Sequence, residues 1–239
     1  MKASRIFFGA SAVLFGVIGL LWHDAETWQN VHALFKLPLG ASLAAGLTIL
    51  QIAGGLGVQI PRAMRSSAIV LCFVYFCFML ACVRAIVAAP ADYGSYPNFF
   101  EQLSIFCGAL AIYAASSAGK APRTLAHFAR LGFAIAAVSF TATQIYYFRF
   151  TVAAVPKWIP PSQNFWAVVT TVAFGLGALA ILINQHARLA LRLTALMTGL
   201  FSALVWAPTL IAHPKSHSAL SEFALTVLIT GAAWVISEL

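Results

Sequence analysis

Charge is what this chain has least of: 8% of its 239 residues are Asp, Glu, Lys or Arg, against about 25% in an ordinary soluble domain. Only 6 are acidic. With 62% of residues hydrophobic there is too little polar surface to coat a globule, which excludes a soluble enzyme domain and equally excludes disorder. Cysteine is sparse too. Cys72, Cys77, Cys82 and Cys107 all lie inside apolar runs, so they form neither a secreted disulfide framework nor a zinc-ligand pattern. The 14 Lys and Arg give a net charge of +8 and a pI near 9.7, but they are scattered between apolar runs and make no basic stripe interleaved with aromatics. No nucleic-acid partner is implied. Histidine is missing from the middle of every run, since His23, His32, His213 and His217 fall at one set of ends and His127 and His186 at the other. That excludes a haem ligated by facing helices in mid-bundle. A two-residue alternation of apolar and polar residues is absent as well, so no barrel strand is implied.

Long apolar runs remain. A bilayer core of roughly 30 Å needs about 20 such residues per helix, and the breaks divide the chain into eight stretches. They lie near Arg5 to Trp22, Leu39 to Ile60, Ser66 to Ala89, Phe99 to Ser117, Phe128 to Phe148, Phe165 to Ile183, Leu189 to Ala212 and Ala219 to Ile236. The expected fold is all-α, a polytopic membrane protein of eight transmembrane helices whose first partner is the lipid bilayer. The opening MKASRIFFGASAVLFGVIGLLWH has the basic start of a signal peptide, but its exit WHDAETW offers no small-x-small cleavage site. A retained first helix is expected.

Orientation follows from the basic residues on the two sides of an eight-helix zigzag. Nine of them share the side of the termini (Lys2, Arg5, Arg62, Arg65, Lys120, Arg123, Arg130, Arg188 and Arg192), and five (Lys36, Arg84, Arg149, Lys157 and Lys215) lie opposite. Both ends are therefore expected in the cytoplasm, with the protein in the cell inner membrane. Asp24, Glu26, Asp92, Glu101 and Glu222 all map to the far side, and only Glu238 stays with the termini. Polar chemistry is expected on the extracytoplasmic face.

The chain also reads as doubled, with a period of about 124 residues: Arg5 recurs as Arg130, Arg62 as Arg188, the AAP ending at Pro90 as the AHP ending at Pro214, and Glu101 as Glu222. An even number of spans per repeat keeps both halves in one orientation, giving two parallel four-helix repeats. The division is 1–118, a cytoplasmic linker at 119–127 within the small-residue stretch Ser116 to His127, and 128–239. In each half the segment between the first two helices is long and amphipathic, which places Trp28 and Trp158 at headgroup level as anchors.

Ionisable groups inside lipid need a partner or a purpose. Arg84 lies six residues before Pro90, roughly 9 Å below its helix end. Folding the hairpin about Tyr93 brings it within a turn of Glu101, so an Arg84 to Glu101 ion pair under the outer surface is expected, against simple snorkelling of the arginine. The second-half equivalent of Arg84 is Pro208, leaving Glu222 exposed or shared. His23, Asp24 and Glu26 crowd the end of the first helix, with His32 six residues on, but no i, i+4 ligand pair is formed and no metal is expected. Cys107 reflects onto the level between Cys77 and Cys82, where one interhelical contact is conceivable. Gln51, Thr141, Thr143 and Gln144 either line a polar site or bond across helices. The residues specify no cofactor, and they leave open a general acid or base role for Glu101 or His23.

The strings VPKWIPPSQNFWA at Val155 to Ala167, IGLLWHDAETWQ, YPNFFEQLSIFCGALAIYA, and LVWAPTLIAHP followed by ITGAAWVI resemble the DoxX-like integral membrane proteins. The resemblance covers nearly the whole chain, in a form carrying two four-helix units, and VPKWIPP is its most specific element. It implies compact four-helix units and a place beside quinone-linked oxidoreductases or other membrane redox complexes. One departure is that relatives often carry His where this chain has Gln144.

Two functions follow as expectations. The first is an integral membrane accessory subunit of the DoxX kind, partnered by another membrane or redox protein subunit and supporting a quinone-linked complex. The second is a small-molecule or lipid binding or transport protein, its outer-face pocket between the halves reached past Trp28 and Trp158, with Arg84 holding an anionic head and His23, Asp24, Glu101 and Glu222 around it. A pure assembly role is the third reading.

Overall fold

A computed structural model describes residues 1–22, 38–117 and 120–239. Eight helices in it are long and apolar enough to cross a membrane. We label them with the shorter pieces between them as α1 (Lys2–Trp22), α2 (Pro38–Gly57), α3 (Met64–Ala88), α4 (Pro97–Ala115), α5 (Lys120–Tyr146), α6 (Phe148–Ala154), α7 (Gln163–Leu182), α8 (Ala187–Phe201), α9 (Ala207–Ala212) and α10 (His217–Ser237). A 3₁₀ turn at Tyr93–Ser95 precedes α4, and a π-helical turn at Ser202–Trp206 joins α8 to α9. Among the described residues there is no strand.

Leu21, Ile49, Phe73, Leu176 and Leu196 are each more than half exposed on the outside of the bundle. Water would not tolerate so large an apolar surface, whereas lipid tails solvate it. The chain is a multi-pass membrane protein. Within lipid the helices gain nothing from burying leucine against leucine, so they associate through close backbone approach at small residues. A Cβ built on Gly9 would lie 2.5 Å from the Gly55 carbonyl oxygen, and one on Gly55 2.7 Å from that of Gly9, so α1 and α2 cross with their backbones nearly touching. The same device brings α4 against α10, through Gly108 and Ala232.

The packing pairs repeat themselves. In the first half α1 packs on α2, α2 on α3, and α3 on α4; in the second, α5 packs on α7, α7 on α8, and α8 on α10. Between halves, α4 packs on α5 as α10 packs on α1, and α4 and α10 touch directly. Advancing every span by four places maps this set onto itself. Each half is an open row of helices, closed into a bundle by the other half. Both ends of the chain meet at one face, where the Met1 amino group pairs with Glu238 and Ser4 Oγ donates to the same carboxylate at 2.7 Å.

Every span starts earlier than composition predicts, whereas α2, α3, α4, α5 and α7 end sooner, and several of the shifts have a local cause. The stretch expected as a linker at 119–127 is almost wholly helical, since α5 starts at Lys120. Pro122 is compatible with this because a first-turn residue has no intrahelical acceptor for the N–H it lacks. Ser162 Oγ caps α7 by accepting from Phe165 N at 3.2 Å, and Ser216 Oγ caps α10 from Ala219 N at 3.3 Å. The run expected as one span over Leu189 to Ala212 is one span, Ala187–Ala212, with a π-helical turn at Ser202–Trp206 just before Pro208. Proline offers no N–H to the preceding turn, and the chain widens there so that Ala207 N bonds Ser202 O.

Candidate functional site

One cavity lies inside the second half, toward the end of the bundle opposite the chain termini. It has a volume of about 490 Å³ and opens between α5, α6, the segment after α6, α7 and α8. Its roof is the Val155 to Pro161 stretch, which Trp166 holds down by donating Nε1–H to the Pro160 carbonyl at 2.8 Å. Gln163 Nε2 donates to Val155 O at 2.5 Å from the next turn. These contacts explain why VPKWIPPSQNFW is one structural unit: the prolines stop α6, and the side chains that open α7 bind the extended chain they release.

The polar groups gather at the end of the cavity farther from the chain termini. Gln144, on the last turn of α5, sets its carboxamide oxygen 2.9 Å from the Thr171 hydroxyl on α7, with Thr170 Oγ1 at 3.5 Å. Thr143 and Thr151 add hydroxyls. Trp206 also lines the cavity. It stands at the end of the π-turn, and the residue added by such a turn rotates everything beyond it by about 100° relative to a regular helix. Further in, the lining is Leu193, Leu196, Met197 and Leu200 of α8 with Val169 and Ala173 of α7. Among the described residues, no charged side chain lines the cavity.

A second polar cluster braces the site from the first half. Tyr93 donates its hydroxyl to Ser139 O at 2.8 Å and lies 3.4 Å from Thr143 Oγ1, beside the cavity wall. Its ring stacks on Tyr96 at 6.0 Å and meets Tyr146 at 5.4 Å. Asp92 Oδ1 accepts from Gly94 N at 2.9 Å and shapes the turn. A Cβ on Gly94 would stand 2.7 Å from the Tyr147 hydroxyl, so glycine is what lets that phenol approach. Desolvation there, followed by the Asp92 charge, raises the Tyr147 pKa above its ordinary value, so the hydroxyl keeps its proton.

Of the residues singled out by the sequence, Thr143 and Gln144 line this cavity, and Arg84, Glu101, Trp158 and Glu222 do not. His23, Asp24 and Trp28 lie outside the described residues, as do Glu26 and His32. Arg84 is exposed near the end of α3, and Glu101 is half-buried one turn into α4, at the same end of a packed helix pair; each has partners there. Glu222 is half-buried near the start of α10 and also has partners. Trp158 is 71% exposed, turned away from the space that its neighbours Pro156 and Ile159 line. The cavity is therefore not the one pictured between the halves with Arg84 at its head. At the depth of Phe8, Gly108 and Ala232 the junction of the halves is closely packed.

Two other expectations resolve. Gln51 bonds across helices, donating Nε2–H to Ala12 O at 2.9 Å from a fully buried position. Cys107 packs on α5, where a Cβ on Gly132 would lie 2.5 Å from its sulfur, and none of the four cysteines forms a disulfide. The cavity residues that sequence reasoning passed over are Trp166, Thr170 and Trp206. For Trp206 a signal existed, the proline two residues on inside an apolar run, which marks a break in the helix.

No family model, curated protein or solved structure matches the chain. The functional reading rests on the cavity itself.

Proposed function

We propose that this chain is a DoxX-like inner-membrane protein of two parallel units, 1–118 and 128–239, both ends in the cytoplasm, that holds a hydrophobic small molecule in the outer-leaflet cavity of its second unit. The observation that carries the reading is a space of about 490 Å³ at membrane depth with a mostly apolar lining and polar groups at one end only. Ligand pockets run from about 300 to 1,000 Å³ and are built in this way. An empty apolar space of that size would forfeit the dispersion contacts of its walls. The repeated packing pairs support the two units. The nine basic residues on the terminal side, against five opposite, support the orientation.

Ala173, on the α7 wall, tests the reading. Replacing it with tryptophan fills the space from a side chain that ends in the void, so folding is expected to survive while the cavity closes. Solvent extracts of the purified wild type are expected to contain a stoichiometric hydrophobic molecule by mass spectrometry, and extracts of Ala173→Trp to lack it. Identical extracts would end the proposal.

The accessory role in a quinone-linked complex is the second reading. The uncharged lining favours it, because a quinone head is neutral. Copurification of a redox subunit, together with a quinone in the extract, is the result it requires.

A further inference from the structure

The polarity of the cavity has a direction, and its unused groups are all of one kind. The wall made by α8 and the π-turn after it runs from Leu193 to Trp206, about 20 Å at 1.5 Å per residue, which exceeds the roughly 15 Å half-thickness of the hydrocarbon core. The inner part of this wall is leucine and methionine. At the outer end the Gln144 carboxamide oxygen already has the Thr171 hydroxyl at 2.9 Å. Its nitrogen, with two N–H groups, has no acceptor among the described residues, and neither has the indole Nε1–H of Trp206. Both are donors that a bound molecule is left to satisfy, since an unpaired donor in a low-dielectric wall is costly. There is no cation to hold an anionic head and no carboxylate to hold a cationic one.

Access is from the side. Leu193, Leu196 and Leu200 line the cavity and are also about half exposed on the lipid-facing surface, so the space opens between helices to the bilayer rather than through the outer face alone. An occupant arriving by this route comes from the membrane. It needs one long apolar chain to lie along α8 and a neutral head with carbonyl or similar acceptors to meet Gln144 and Trp206.

We infer that the cavity binds a single neutral, carbonyl-headed lipid, head outward between Gln144 and Trp206 and chain inward along Leu193 to Leu200. This rests on the reading of the cavity as a ligand site and adds the class and orientation of the ligand. Two sources carry the same chemistry, an ester-headed acylglycerol and a lipid-soluble quinone, and the donors as placed serve either.

The test is titration of the detergent-purified full chain with 1-oleoylglycerol, decylubiquinone and oleate at pH 8, read by quenching of tryptophan fluorescence and checked by calorimetry. At least one of the two neutral probes is expected to bind tenfold or more tighter than oleate, which would bring a charge to an uncharged site. Whichever neutral probe binds more tightly names the source. Gln144→Leu and Trp206→Phe are each expected to weaken the better probe about tenfold with a melting temperature near wild type, the loss expected for one hydrogen bond in a low-dielectric wall. Trp206→Phe keeps an aromatic wall, so it separates the lost donor from lost packing. Oleate binding as tightly as the neutral probes, or both variants binding them undiminished, would overturn the inference while leaving a hydrophobic site in place. If no probe binds and a partner's helix crosslinks to Leu196 instead, the inference and the ligand site fall together.

Discussion

Replacing Gly108 with leucine is expected to yield no folded protein. A Cβ on Gly108 would stand 2.7 Å from Ala232 Cβ, 2.7 Å from a ring carbon of Phe8 and 2.9 Å from Ala232 Cα. Two of those atoms belong to a helix that cannot retreat, because on its other side the α10 backbone meets α1: a Cβ on Gly231 would lie 3.0 Å from Phe8 Cα. Three helices from both halves converge here, and all of these side chains are fully buried. Overpacking a well-filled core costs about 1–3 kcal/mol and occasionally more. With four added carbons and both the Phe8 ring and the Ala232 backbone in the way, the cost should exceed about 3 kcal/mol, a large part of the 5–15 kcal/mol that typical proteins have. Fluorescence-detected gel filtration of a fusion, with thermal melting in detergent, reads the outcome. Gly46→Ala is the control, because nothing lies within 4 Å of a Cβ there, and it should change stability by less than about 0.5 kcal/mol. If Gly108→Leu melts beside wild type, the junction of the halves is not as close as described.

The same junction shows which parts of the structure were legible in the sequence. Span number and helical class follow from a single requirement, enough apolar residues to cross lipid with the backbone bonded to itself, and the eight runs satisfied it one by one. The limits of the helices were less legible, since the first turn of α5 tolerates Pro122 and the run through Pro208 looks continuous until proline's missing N–H is traced to a particular carbonyl. Cavities are a different matter. The scarce charges mark where the chain can keep an ion solvated, at the ends of helices, so Arg84, Glu101 and Glu222 drew attention to the rim. Empty space arises where three neighbouring helices fail to close, and that depends on which small residues meet on their other faces. Gln144 was visible as a polar group in an apolar run. Its two candidate roles, lining a site and bonding across helices, turn out to be one: the bond to Thr171 fixes the amide that faces the cavity.

Trp166 carries the second large effect, because one side chain both walls the cavity and holds down its roof. Its indole donates to Pro160 O at 2.8 Å, and the ring lines the space beside Thr170. Trp166→Ala removes the ring and frees the Val155 to Pro161 segment together. Truncations of this size typically cost about 3–5 kcal/mol. Trp166 is only half-buried, and Ala167, Thr171, Phe174, Ala178 and Ile181 still seat α7, so the bundle should stay folded. Binding of the better neutral probe, which needs the roof in place, should fall about a hundredfold, or some 2.7 kcal/mol. Trp166→Phe keeps most of the wall and loses only the N–H, so about 1 kcal/mol and a several-fold weakening are expected. The ratio between the two variants is the informative quantity. Equal losses would mean that the hydrogen bond to Pro160 alone shapes the site, and that the ring is not in contact with the ligand. Unchanged affinity in both would place the probe somewhere other than under this roof. A graded loss, with melting temperatures that move far less than the affinities, is what a ligand held between the α7 wall and the proline segment requires.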